Sequence, residues 1–188
     1  VNSLAKKLRK KVSIGFRLNP NVDAKTHKNI STGKAENKFG LSIKNFKVFL
    51  KTINSLKNIK LDALSVHIGS QILNDAPFRK TLSVMSKLIK ELRLNLNYVD
   101  LGGGFGINYT NKEKPINLNK YSKLVENFSK KLNCKIIFEP GRSIIGNTGL
   151  LISKVQFIKK GANKNFIILD ACHLYTSPSP RDRPLSRM

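Results

Sequence analysis

One short stretch decides how the chain is organised, and it has the sequence Asn97-Tyr98-Val99-Asp100-Leu101-Gly102-Gly103-Gly104-Phe105-Gly106. The β-branched and aromatic residues at its start favour a strand, and the glycines end that strand in a turn. Three other apolar runs end in the same way, in a polar or glycine-containing turn. They predict further strands at residues 12–18, 61–68 and 135–138.

Between these strands, apolar residues recur at intervals of three and four, which is typical of amphipathic helices. The first helix is predicted from Ser42, which is placed to cap it, and two more are predicted around residues 78–92 and 121–132. Strands that alternate with helices favour an α/β fold with a parallel sheet. Beyond Gly141 the alternation stops, and two strands at residues 150–158 and 165–170 indicate the start of a β-rich domain.

Composition limits the classes of protein to consider. The chain has 188 residues, a net charge of +24 and 40% hydrophobic residues, which is enough apolar material for a core. The lysines are scattered and no Trp is present, so compositional bias explains the charge better than nucleic-acid binding does. No apolar run is long enough to span a bilayer, so we predict no membrane partner.

The two cysteines, Cys134 and Cys172, form no CxxC pattern. We therefore predict neither a metal site nor a disulfide framework, and a reducing, cytoplasmic location.

The glycine cluster at residues 102–106 has two interpretations. Glycine N–H groups at the end of a strand can hold a phosphate, and the same glycines can simply form a flexible turn. A dinucleotide-binding fingerprint needs the glycines to open directly into a helix. The polar stretch at residues 108–120, which contains Pro115, disfavours that third possibility.

Chemistry-bearing residues also follow two other predicted strands. His67 comes after one, and Glu139 and Arg142 come after another. Taken alone, a histidine such as His67 is more often a core or solvated residue than a ligand. Glu139 and Arg142, taken alone, more often pair with each other in a tight turn. Parallel strands, however, bring their carboxyl ends to one edge, where an imidazole, a phosphate cradle and a carboxylate would surround one ligand. These are the groups that a pyridoxal phosphate site needs.

These motifs together resemble the fold-type III pyridoxal-phosphate decarboxylases, and among them the members that act on diaminopimelate. The resemblance is carried by residues 17–27, 30–33, 36–40, 67–71, 100–106 and 139–143. It implies decarboxylation of meso-2,6-diaminopimelate to L-lysine and CO2. The alternative substrates within the same family, ornithine and arginine, stay open.

The resemblance also implies a site for pyridoxal 5'-phosphate, made of His67, Ser70, Gly102, Gly103, Gly104, Glu139, Gly141 and Arg142. His67 would stack on the pyridine ring, and Glu139 would pair with the pyridine nitrogen. Ser70, Gly141 and the backbone of the glycine cluster would hold the phosphate. Arg142 would approach the phosphate and the distal carboxylate of the substrate.

The fold implied is the C-terminal half, about strands 5–8, of a (β/α)8 barrel. We expect residues 1–149 to form this partial barrel, residues 150–171 to begin a C-terminal β-domain, and residues 172–188 to be a non-native tail. No lysine has the sequence context of the family's Schiff-base lysine, so we expect a fragment that lacks it. The complete protein is expected to be a homodimer with a small-molecule amino acid as substrate.

Overall fold

The computed structural model describes residues 1–24, 32–33, 38–109 and 115–171. The chain divides into two compact units, with the division between Asn147 and Thr148. This point lies close to the predicted end of the partial barrel at residue 149.

The first unit is built on a five-stranded sheet, whose strands are β1 (Val12–Asn19), β2 (Leu41–Ser42), β3 (Ile59–Val66), β4 (Tyr98–Asp100) and β5 (Lys135–Ile137). Their order is β2-β1-β3-β4-β5, and every pairing is parallel. The α/β class with a parallel sheet is therefore confirmed. The count of four strands was wrong by one, because β2 is too short to leave an alternating pattern in the sequence.

Among the described residues, five helices accompany the strands: α1 (Asn2–Lys7), α2 (Ile43–Ser55), α3 (Ala76–Glu91), α4 (Leu118–Leu132) and α5 (Arg142–Ile145). The three long ones lie where the apolar spacing predicts them. Ser42 caps α2 as expected, since its Oγ accepts a 3.1 Å hydrogen bond from the N–H of Asn45. The short helices α1 and α5 were not predicted, because one or two turns are too few to show a helical period.

The core lies on one face of the sheet, between the strands and the long helices. Phe46 of α2 and Met85 of α3 pack with Leu64 of β3 and Val99 of β4, and all four are fully buried. Side chains on the opposite face are more open. Tyr98 and Ile137 on that face are 37% and 42% exposed.

A polar network joins the strands near their amino-terminal ends. Asp62 of β3 accepts hydrogen bonds from Asn97 Nδ2 at 2.8 Å and from Lys60 Nζ at 2.7 Å. The Lys60 ammonium lowers the pKa of Asp62, so this carboxylate stays ionised. Backbone bonds run from Asn97 N to Asp62 O and from Lys135 N to Asn97 O. The register of β3, β4 and β5 is thereby fixed at the end opposite the candidate site.

The second unit contains an antiparallel hairpin of β6 (Val155–Lys160) and β7 (Asn165–Leu169). The predicted strand at residues 150–158 was wrong at its start, because residues 150–154 are not in a strand. The assignment of this hairpin to a β-domain stays a prediction. The tail expected at residues 172–188 lies outside the described residues. Across the part of the chain that is described, no helix has the length and apolar character needed to cross a membrane.

We expect the isolated chain to unfold over a broad temperature range and to self-associate. The edge strands β2 and β5 and the open sheet face offer unpaired backbone and apolar side chains to other molecules. Thermal circular dichroism and analytical ultracentrifugation measure both properties. Ile137→Lys, on the open face, should reduce self-association, whereas Val48→Lys on α2 should not. A sharp transition of a monomeric wild-type chain would contradict this expectation.

Candidate functional site

The candidate site lies at the carboxyl edge of the sheet, where β3, β4 and β5 end. Since the three strands are parallel neighbours, the segments that follow them leave the sheet side by side. The segment after β3 begins with His67, the one after β4 contains Gly102–Gly104, and the one after β5 contains Glu139. The expected meeting of these strand ends at one edge is therefore what the structure has.

Hydrogen bonds join the three segments directly. The N–H of Gly103 donates to His67 Nδ1 at 3.3 Å, and the N–H of Glu139 donates to the carbonyl of Gly102 at 3.0 Å. Because Nδ1 accepts in this geometry, the proton of a neutral His67 ring sits on Nε2. The outward nitrogen of the imidazole is thus available as a donor.

The glycine cluster is a tightly packed loop. Gly102 and Gly104 have positive φ angles of +67° and +97°, which residues with a side chain rarely adopt. At Gly103 the constraint is space, because a Cβ there would lie 2.1 Å from the carbonyl oxygen of Glu139. Glycine is therefore needed for the loop to contact its neighbour, which argues against an unconstrained flexible turn.

The segment that contains Ser70 runs alongside the glycine loop. Ile72 N donates to the carbonyl of Gly104, and Gly106 N donates to the carbonyl of Ile72, both at 2.9 Å. The side chain of Gln71 adds two bonds to the backbone of Ile107, donating to its carbonyl at 2.6 Å and accepting from its N–H at 3.2 Å. Ser70 therefore lies in a loop fastened to the glycine cluster, as its predicted role requires.

Thr32 holds the backbone beneath His67, a contact that the sequence did not predict. Its Oγ1 donates to the carbonyl of His67 at 2.7 Å, and its N–H donates to the carbonyl of Ile68 at 3.3 Å. Thr32 belongs to the polar stretch at residues 19–40, which also contains residues 30–33 of the family resemblance. Residues 25–31 and 34–37 of that stretch lie outside the described residues.

Charged groups from three strand ends surround the imidazole. Burial lowers the pKa of His67, and the Arg17 guanidinium lowers it further, while Glu139 and Asp100 act in the opposite direction. Arg17 lies in β1 and Asp100 in β4, and neither was predicted as a site residue. Arg17 and Asp100 pair in register with the same residue, Ser65, and so share a face of the sheet. The sequence gives no signal for this relation, because it depends on the register between strands.

Asp100 also acts on the glycine loop. Its Oδ1 accepts a 2.8 Å hydrogen bond from the N–H of Gly102. The last residue of β4 thus holds the first glycine of the loop, and its charge faces the imidazole of His67.

The segment after β5 is exposed and carries the remaining predicted residues, Glu139, Gly141 and Arg142. Within the described ranges no ion pair joins Glu139 to Arg142, so the alternative of a self-paired turn is not what the structure has. Arg142 Nη1 instead donates a 3.4 Å hydrogen bond to the hydroxyl of Tyr109. A Cβ on Gly141 would meet nothing within 4 Å, so the space beside that residue is open.

The edge as a whole combines a half-buried imidazole, the exposed carboxylate of Glu139, guanidinium groups and a loop of glycine backbone. A carboxylate can pair with a protonated ring nitrogen, and guanidinium and backbone N–H groups bind phosphate. This donor set suits a planar heteroaromatic ring that carries a phosphate.

Comparison with known proteins matches the chain to enzymes that bind a heteroaromatic ring. Residues 1–146 match the family model described as "Pyridoxal-dependent decarboxylase, pyridoxal binding domain". The diaminopimelate decarboxylase of Aquifex aeolicus is 40% identical over 174 residues, which cover 91% of this chain and 41% of that protein. That of Helicobacter pylori strain J99 is 41% identical over 177 residues, covering 91% and 43%.

A solved structure also matches. The crystal structure of Helicobacter pylori diaminopimelate decarboxylase complexed with L-lysine has a TM-score of 0.77 at 38% identity, over 90% of this chain and 43% of that one. The chain thus spans about two fifths of the length of these relatives, which agrees with the expected partial barrel and fragment. By sequence and by fold, the chain belongs to the pyridoxal-dependent decarboxylases, and its residues 1–146 match their pyridoxal-binding domain.

Proposed function

We propose that this chain is part of a pyridoxal-phosphate-dependent decarboxylase that converts meso-2,6-diaminopimelate to L-lysine and CO2. The observation that carries the proposal is the direct contact between the three strand-end segments, through Gly103 to His67 and Glu139 to Gly102. The identity of 40% to a diaminopimelate decarboxylase supports the substrate.

In this proposal His67 stacks on the pyridine ring, and its environment suits that role. Burial and Arg17 lower the pKa of His67, so the ring is neutral at neutral pH and places no second cation against a protonated pyridine. The backbone contact from Thr32 fixes where the imidazole leaves the strand. The hydrogen bond from the N–H of Gly103 to Nδ1 orients the ring itself.

Glu139 pairs with the pyridine nitrogen in this proposal and keeps it protonated. When bound, pyridoxal phosphate supplies an electron sink for the electron pair that remains as CO2 departs, and a protonated ring is the better sink. The exposed carboxylate of Glu139 forms no ion pair within the described part of the chain, which supports a role for it toward a ligand.

The phosphate is held, in this proposal, by Ser70, Gly141 and the backbone of Gly102, Gly103 and Gly104. Arg142 approaches the phosphate and the distal carboxylate of the substrate. The hydrogen bond from Arg142 to Tyr109 leaves other guanidinium N–H groups available, since Arg carries five donors.

The proposal extends to a homodimer in the cytoplasm for the complete protein. Cys134 is a free, buried thiol, and burial raises its pKa, so it is an unreactive core residue that is compatible with a reducing compartment. Light scattering of the complete protein after size exclusion tests the dimer.

The activity is tested in a chimera in which residues 1–146 replace the matching segment of the Aquifex aeolicus enzyme. The remainder of that enzyme supplies the segments that this chain does not span. We expect release of CO2 from meso-diaminopimelate and not from ornithine or arginine, measured with each substrate separately. A folded chimera that prefers ornithine or arginine would overturn the substrate, and one that acts on none of them would overturn the activity.

In the same chimera, Glu139→Gln should lower kcat about 100-fold with little change in KM, because it removes an electrostatic contact needed at the reacting centre. Glu126→Gln is the matched control. That glutamate lies exposed on α4 and pairs only with a neighbouring lysine, so its loss should leave kcat unchanged. Equal rates for the two variants would remove Glu139 from the reaction.

The charged groups near His67 predict two opposite shifts of its pKa. Arg17→Gln should raise the pKa of His67, since a nearby positive charge opposes protonation, and Glu139→Gln should lower it. NMR titration of the His67 ring in the chain measures both shifts. Arg79→Gln, which changes a charge on α3 beside Asp75, should shift neither. Shifts in the same direction for Arg17→Gln and Glu139→Gln would contradict the arrangement.

The chain by itself should not attach the cofactor covalently, since no lysine in it has the context of the Schiff-base lysine. Borohydride reduction with one equivalent of pyridoxal phosphate, followed by peptide mass mapping, should find no lysine labelled in full yield. Complete labelling of one lysine would show that the chain supplies its own attachment site.

A further inference from the structure

Four aromatic rings pack directly behind the candidate site, and Tyr121 on the first turn of α4 lies among them. Its ring meets Phe105 edge-on at 5.2 Å and Phe78 at 5.3 Å, and it lies 6.3 Å from Phe138. Phe78 and Phe105 stack on each other at 4.9 Å. Tyr121 is 5% exposed and Phe78 is 3% exposed, so both belong to the packed interior, whereas Phe138 is 43% exposed and lies at the border of the ring cluster.

Two of these rings are the immediate neighbours of site residues in the chain. Phe105 follows Gly104, and Phe138 precedes Glu139. Consecutive Cα atoms are about 3.8 Å apart, so a contact that fixes the backbone at either Phe also limits where the adjoining site residue lies. Through these two rings, the glycine loop and the Glu139 segment rest on the same side chain of α4.

The two segments need such a support because their own backbone connection is short. β4 and β5 pair over three residues, and beyond Leu101 the bond from Glu139 N to Gly102 O joins them. The three glycines at 102–104 have no side chains to pack, and glycine has more conformational freedom than any other residue. Phe105 is the first side chain that can anchor the loop to the helix layer.

We infer that Tyr121 is a positioning residue that holds the glycine loop and the Glu139 segment in a fixed relation to each other. The expected consequence of this fixed relation is tighter binding of pyridoxal phosphate, and that consequence rests on the proposed function. Tyr121 does not touch the ligand in this account. It acts only through Phe105 and Phe138.

The chain offers a matched control on the same helix. Phe128 lies seven residues beyond Tyr121, on the same face of α4, and is 6% exposed. Within the described residues no ring pair joins Phe128 to either site segment. Tyr121→Leu and Phe128→Leu therefore remove a buried ring from one helix face, and only the first removes the contact with the site.

Hydrogen–deuterium exchange of the full 188-residue chain without cofactor is the first measurement. We expect Tyr121→Leu to speed exchange about tenfold in peptides that cover residues 100–106 and 136–142, while Phe128→Leu leaves both unchanged. Tyr121→Phe, which keeps the ring, should behave as the wild type. Equal effects of Tyr121→Leu and Phe128→Leu in these peptides, or none from either, would overturn the inference.

Titration with pyridoxal phosphate, followed by its absorbance, is the second measurement. Tyr121→Leu should weaken binding about tenfold relative to the wild type, and Phe128→Leu should not. If the wild-type chain binds no pyridoxal phosphate, the proposed cofactor site fails, while the exchange experiment still decides the role of Tyr121. If Tyr121→Leu does not fold, Phe138→Leu, at a partly exposed position, takes its place with the same expected results.

Discussion

The pairing of β3, β4 and β5 extends over only three residues of each shorter strand, and the rest of the site depends on it. Parallel pairing makes all three strands end at one edge. The imidazole, the glycine loop and the carboxylate, which are far apart in the sequence, therefore lie next to each other at that edge. The polar network around Asp62 sets the register at the far end of the same strands. A slip of one residue would turn His67 and Asp100 to the helix side and remove both from the site.

The sequence was sufficient to predict the helices and strands whose apolar residues recur at a regular spacing. The long helices α2, α3 and α4 repeat their apolar residues often enough to be located. The strand ends were located because each apolar run stops at a polar or glycine-containing turn. His67, the glycine cluster and Glu139 were identified for that reason. Their mutual contacts follow from parallel topology and required no knowledge of side-chain positions.

Other features carry no such local signal. β2 has two residues and α5 has four, so neither can show a period, and residues 150–152 are apolar but do not lie in a strand. Thr32 reaches His67 across 35 positions of sequence, and nothing near Thr32 indicates that contact. Arg17 and Asp100 were overlooked because their relation to His67 is a matter of register between strands, and register is fixed only when the sheet forms.

The fastening of Gln71 to Ile107 has a mechanical consequence. Two hydrogen bonds from the side chain of Gln71 join the two segments at a point where backbone bonds between longer strands would otherwise join them. The two backbone bonds of Ile72 hold the segment as far as Gly106, and beyond that residue the connection at Ile107 depends on the single side chain of Gln71. The attachment of the chain after the glycine loop is therefore decided by one residue, separately from the register of β3, β4 and β5.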